Sequence, residues 1–420
     1  MGARRRSVSE LPRAPLQMVH PAAIPGAAVP GAEIMADLES GMGVVLCSLF
    51  RTALAWSNDP GPPMAELAAL EEHALARLDE DECWPAAAVI AAQLAAERAD
   101  RAQVAQACFC IADWALARNA GATAQAFMLL AALVCPRHPR YAWAAGRMLR
   151  GNGRMREAEF WLERSHRVAV WTGDAYAQSI ALSSLGMLAY TGGNFGMAER
   201  RLKEALFVAT RQGSRVLEGE VLHNLMVIET ERHELARAEE YGVRAMEIYL
   251  SDHERLPALA HDIANLWIAQ GHFGRALPVL LCVAGHLPDP AERFQTYSAA
   301  ARAAGGACDE DAFDAVWTGA WECEATVGID RLSAAAFLEM GRGASTLRRW
   351  DQAIDAFEAA LAVASRRGEA DVRFKAEAAL ELARKREGAA ERVPVVSRRT
   401  AAADQVASDV IRALVPALPD

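Results

Sequence analysis

Apolar residues recur along this chain at helical rather than strand spacing, with charged and polar residues filling the intervals. Alternation with a period of two is confined to short pieces such as Val393–Val396. The pattern therefore predicts helices and no sheet. Self-comparison then exposes a repeat. Segments such as "LGMLAYTGGNFGMAERRLKEAL" and "MGRGASTLRRWDQAIDAFEAAL" align on one alanine, placing it at Ala124, Ala158, Ala198, Ala238, Ala276, Ala315 and Ala353. The intervals are 34, 40, 40, 38, 39 and 38 residues. A fixed period of this size marks stacked supersecondary units that bury their apolar faces against one another.

The recurring residues have mechanical roles. Two antiparallel helices joined by a tight turn approach closely only where side chains are small. Gly146, Gly186 and Gly341 in first helices are placed to face Ala158, Ala198 and Ala353 in second helices. Bulky residues stand three positions before the key alanine: Met155, Phe195, Leu235, Phe273 and Trp350. Gly153, Gly193 and Gly271 are predicted to end first helices in a left-handed conformation. A second alanine follows seven residues later, at Ala131, Ala205, Ala245 and Ala360, where the next unit packs.

This set of residues resembles the tetratricopeptide repeat, over roughly residues 101–385, in a variety with longer units of 38–40 residues. The first-helix tryptophan and tyrosine of the family pattern are mostly missing, and the copy around Ala315 is worn. The resemblance implies an all-α fold: a right-handed α-solenoid, or superhelix, of antiparallel helix–turn–helix repeats with a groove lined by first helices.

The flanks divide the rest of the chain. Residues 1–34, broken by Pro12, Pro15, Pro21, Pro25 and Pro30, read as disordered despite the twin-arginine-like start at Arg4–Arg6. Residues 35–100 read as divergent helical repeats, with Met64–Leu78 and Trp84–Arg98 as one pair. The array proper is assigned to 101–368 and a charged capping helix to 369–387. Residues 388–420 read as a linker followed by an amphipathic helix, Ala401–Leu414, that presents Val406, Val410, Ile411 and Leu414 on one side.

Composition narrows the chemistry. The 420 residues are 52% hydrophobic, 23% charged and only 7% aromatic, the palette of helices packed on helices. A net charge of −10 gives no global attraction to nucleic acid or anionic membrane. The apolar stretch Met42–Trp56 is too short to span a bilayer and is interrupted by Arg51. None of the eight cysteines forms a CxxC pair, so buried thiols in a reducing cytoplasm are expected. The glycine clusters at 151–154, 192–196 and 341–345 complete no phosphate-loop motif. His233-Glu234 lacks the second histidine of a zinc protease site, since position 237 is arginine. Trp114, Trp267 and Trp317 sit among core-type neighbours, whereas Trp143 and Trp161 are less committed to the core. No catalytic residue, metal site or cofactor is predicted.

Charge is distributed unevenly. Residues 140–216 carry 12 Lys/Arg against 6 Asp/Glu, whereas 217–330 carry 7 against 20. This bipolarity could draw opposite segments of one ligand, or stack copies of the chain head to tail. In the tetratricopeptide frame the groove-facing positions include Arg140, Trp143, Arg147 and Arg150, then Met187 and Tyr190, then His223 and Asn224, and finally His261 and Asn265. The arginines would hold an acidic group, the amides would pair a peptide backbone, and Met187 with Tyr190 would take an apolar side chain. The expected function is a cytoplasmic, non-catalytic scaffold or adaptor that binds a peptide or helix of a partner protein. The alternative is a peptide-responsive sensor component of a bacterial signalling or transcription-regulatory system. The DNA-binding helix-turn-helix that such regulators usually carry is not recognisable in residues 1–60.

Overall fold

The computed structural model describes residues 31–58, 82–249, 254–329, 332–367, 369–387, 409 and 411–414. The expectations for residues 1–30, for the helix Met64–Leu78 and for the linker from residue 388 lie outside these residues. So does most of the helix expected at Ala401–Leu414, of which residues 409 and 411–414 are helical and Leu414 is buried. The described residues are helical, without strands, and fall into two compact units, Met1–Gly213 and Ser214–Asp420.

The first unit contains α1 (Ala32–Asp37), α2 (Ser40–Asn58), α3 (Trp84–Ala95), α4 (Arg101–Ala117), α5 (Gly121–Val134), α6 (Pro139–Gly151), α7 (Met155–Thr172), α8 (Ala175–Thr191) and α9 (Phe195–Gln212). Helices α4/α5, α6/α7 and α8/α9 form antiparallel hairpins, each packed on the next. The order begins earlier than the sequence pattern predicts, since α1 starts at Ala32 and Ile34 is fully buried. The physical reason is a cap. Helix α5 has no capping side chain of its own, and Asp37 at the end of α1 accepts the Thr123 N–H at 2.9 Å. A carboxylate there satisfies a free donor of the helix and complements the helix dipole.

The second unit contains α10 (Arg215–Glu231), α11 (Leu235–Tyr249), α12 (Leu256–Ala269), α13 (Phe273–His286), α14 (Pro290–Ala307), α15 (Glu310–Val327), α16 (Ala334–Thr346), α17 (Trp350–Arg367) and α18 (Ala370–Arg384). Four hairpins, α10/α11, α12/α13, α14/α15 and α16/α17, are followed by α18, which buries Ala376, Leu380 and Ala383 and leaves Phe374 exposed.

Small residues set the hairpin geometry as the repeat predicts. Ala124, Ala158, Ala198, Ala238, Ala276 and Ala353 are all fully buried, as are the second alanines at 131, 205, 245 and 360. A Cβ on Gly146 would stand 2.7 Å from Leu162, and one on Gly186 would stand 2.8 Å from Leu202. On Gly341 it would meet the Phe357 ring at 2.5 Å. The closest neighbour of each first-helix glycine is thus the large residue four positions after the key alanine. A still closer approach joins two first helices: a Cβ on Gly305 of α14 would lie 2.4 Å from the Gly343 carbonyl oxygen of α16, and one on Gly343 would lie 2.3 Å from that of Ala301.

Two details of the repeat frame are corrected. In α15 the key position is not Ala315, which is exposed, but Phe313, fully buried and three residues after the helix start like the key alanines. The bulky residues before the key alanines are only partly covered in four of five cases; Leu235 alone is buried, because these side chains sit at the mouth of the turn. Trp161, left uncommitted by the pattern, is among the largest fully buried side chains, one helical turn from Ala158 on the same face. Four of the eight cysteines are not buried: Cys110 and Cys308 are exposed, and Cys135 and Cys282 are half-buried.

Each of the seven described hairpin turns crosses the left-handed region two residues before its second helix. Glycine occupies that position at Gly153, Gly193 and Gly271, but Asn119, His233, Cys308 and Arg348 adopt the same conformation, with φ between 57° and 60°. A side chain there is strained by roughly 1–2 kcal/mol. Arg348→Gly and Cys308→Gly should therefore each stabilise the second unit by about 0.5–1 kcal/mol, after the greater unfolded-state entropy of glycine is deducted. Gly343→Ala should destabilise it by about 1–3 kcal/mol or more, because its neighbour is backbone and cannot give way. Urea unfolding midpoints check both directions.

Candidate functional site

Position along the repeat decides which side chains face the groove of the second unit. First helices α12, α14 and α16 lie side by side with the end of α10 and the start of α11, and together they line a groove of about 1060 Å³. Its floor is small and apolar, from Ala269, Ala299 and Ala336 with Ile268. Over that floor stand amides from Asn265, Gln270 and Gln295, and charged groups from both ends. Glu231, Glu234 and Glu239 occupy the α10–α11 end, whereas Arg302, Glu339 and Arg342 occupy the α14–α16 end.

The charged groups at the α14–α16 end are already engaged. Arg302 is buried, reaches Thr346 Oγ1 at 3.3 Å and Glu339 at 3.8 Å, and lies over the Phe273 ring at 5.2 Å. Arg342 also donates to Glu339. At the other end Gln270 donates from Nε2 to Glu239 at 3.4 Å. Below the groove the fully buried Glu229 is held by Arg232 at 3.3 Å and Arg237 at 3.7 Å, fixing the α10–α11 turn.

Of the ten positions assigned to a groove from sequence, His261 and Asn265 line this one. His223 is buried beneath it, sharing a 2.8 Å hydrogen bond with Asp262, and His261 Nδ1 lies 3.2 Å from the Thr296 hydroxyl. These contacts brace α10, α12 and α14. Asn224, next to His223, is half-buried. The other six residues belong to the first unit. There Arg140 lies over the Phe109 ring and Arg147 over the Trp143 ring, and Trp143 donates to Ser184 at 2.9 Å. Burial first, and then Arg147, depress the ionisation of the half-buried Arg150. Tyr190 packs edge-on against Phe195, and Met187 is half-buried beside it. Gln270, Gln295, Arg302 and Arg342 were missed in the sequence. The sole available signal was their recurrence on first helices.

Among the described residues no group of three or more His, Cys, Asp or Glu converges on a point where it could hold a metal ion. No helix among them is long and apolar enough to cross a membrane.

The polar brace carries a pH dependence. Burial raises the Asp262 carboxyl, but the His223 hydrogen bond and nearby positive charge outweigh it and hold Asp262 below its ordinary 3.8. Burial holds His261 below its ordinary 6.5, against the pull of Asp262 and with help from His223. In both cases the unfolded chain takes up protons first. Stability present at neutral pH is therefore lost as pH falls through the 6.5 region with His261, and lost again below 3.8 with Asp262. His261→Gln should flatten the fall of the second unit's urea midpoint between about pH 7.5 and 5.5. His166→Gln, whose imidazole is likewise depressed by burial in the first unit, is the matching control.

No family model matches the chain, and no curated protein matches it. Solved structures similar to it include the Rap conjugation gene regulator of the plasmid pLS20 in complex with the Phr* peptide, at 11% identity over 81% of this chain and 96% of that one, with a TM-score of 0.48. Another is the signal transduction ATPase with a tetratricopeptide repeat sensor from Pyrococcus horikoshii, at 14% identity over 70% of this chain and 45% of that one, TM-score 0.49. A third is BtubC from P. vanneervenii, at 18% identity over 53% of this chain and 90% of that one, TM-score 0.41. At these identities and scores none of them carries a functional inference. What classifies the molecule is internal: paired antiparallel helices, small residues at their crossings and a left-handed turn at the same place in every hairpin. By those features the chain is a protein of tetratricopeptide-like repeats.

Proposed function

We propose that this protein is a non-catalytic interaction module whose second unit holds an extended peptide segment of a partner protein in the groove between its first helices. The observation that carries this reading is the groove's lining: an alanine floor, with three primary amides from successive first helices or their ends standing over it. A peptide backbone offers an N–H and a C=O at each residue. Amides present both partners, and small residues let the backbone approach. A groove of about 1060 Å³ accommodates several residues of extended chain.

The arginine and tryptophan face of α6 is the less favoured location, because Arg140, Trp143 and Arg147 are held against aromatic rings or hydroxyls of their own unit. Asn265→Ala combined with Gln295→Ala should weaken a co-purified partner's peptide by about tenfold, the loss of hydrogen bonds worth roughly 1–2 kcal/mol in total. Arg147→Glu combined with Arg150→Glu should leave that affinity within about twofold. Isothermal titration of the full chain reads both. Loss of binding in the α6 variant alone would move the site to the first unit.

A further inference from the structure

The two ends of the groove differ in a way that selects a ligand. At the α14–α16 end the carboxylate of Glu339 lies between two guanidinium groups, Arg302 and Arg342. At the α10–α11 end stand three carboxylates, Glu231, Glu234 and Glu239, which make no ion pair among the described residues. An acidic cluster alone does not define a site. The second observation is Gln270, the residue that ends α12. It is 4% exposed, it lines the groove, and its Oε1 has no hydrogen-bond partner. Its orientation is fixed by its other end, since Nε2 donates to Glu239. A buried carbonyl without a donor is unfavourable, and here it belongs to a groove-lining residue beside three carboxylates.

We infer that this end of the groove is a subsite for a cationic side chain, an arginine or lysine of the bound segment. The inference rests on the peptide-binding reading above. Arginine fits best: its planar guanidinium presents five donors, enough to meet the Gln270 carbonyl and a carboxylate at once. Gln270 reads the donor, Glu239 orients Gln270 and shares the cation, and Glu231 and Glu234 supply the attractive field. The acidic half of the chain, with 20 Asp/Glu against 7 Lys/Arg over residues 217–330, strengthens that field.

The test uses the full chain and four pools of fluorescein-labelled random octapeptides, each with one fixed residue: arginine, lysine, glutamine or glutamate. Fluorescence anisotropy at low salt should show the arginine pool binding roughly tenfold tighter than the glutamine pool, with the glutamate pool weakest. Added salt should narrow the difference. Glu231→Gln with Glu234→Gln, both at exposed positions, should lower the ratio of arginine-pool to glutamine-pool affinity. Gln270→Met, of similar volume but without the acceptor, should reduce it further. If the pools bind alike, or the glutamate pool binds best, while Asn265→Ala still weakens all of them, the cationic subsite is wrong and the peptide groove stands. If no pool binds, both readings fall.

Discussion

The close approach of helix to helix is the constraint on which everything else here depends. Six of the seven described hairpins have a buried alanine where their two helices cross, with Phe313 in that place in the seventh, and in all seven the turn enters the left-handed region at one fixed residue. Where the small residue is glycine on both sides, as at Gly305 and Gly343, first helices of neighbouring hairpins touch backbone to backbone. That contact draws α14 and α16 together and sets the spacing of the groups that project from them. The groove is a by-product of crowding on its floor: small residues permit the approach, and long side chains rise over it.

The polar residues then divide by what they do for the fold. Glu229, His223 and Asp262 are spent on bracing, with partners on neighbouring helices or the adjoining turn. Arg302 is shared between bracing and the groove wall, since it is buried against Phe273 yet lines the opening. Gln270 is as buried as the bracing residues and, like the Nδ1 of His223, its Oε1 has no hydrogen-bond partner among the described residues; what sets it apart is that it lines the groove.

Much of the repeat was legible because packing residues repeat with the structure. Ala158, Ala198 and Ala353 announced the crossings, and Gly153, Gly193 and Gly271 announced the turns. The frame slipped where identity misled: Ala315 matched an alanine column, but burial follows position in the helix, and Phe313 holds that position. His233, Cys308 and Arg348 were invisible as turn residues because a side chain can be forced into a conformation that only glycine advertises. The groove was hardest to place. Its lining runs from Thr230 to Arg342, more than a hundred residues apart in sequence, and it depends on how far first helices spread. His261 and Asn265 were within reach of a repeat frame; Arg302 and Arg342, which lie in and beside the worn repeat, were not.

The most direct test is site-specific photocrosslinking in cells. A photoreactive amino acid replaces Asn265 on the groove wall, or Leu281 on the exposed face of α13, and adducts are separated by size and sequenced. A groove that binds partner segments gives a discrete adduct from position 265 and none from position 281. Adducts from position 281 with none from 265 would place the binding surface elsewhere and contradict the assignment.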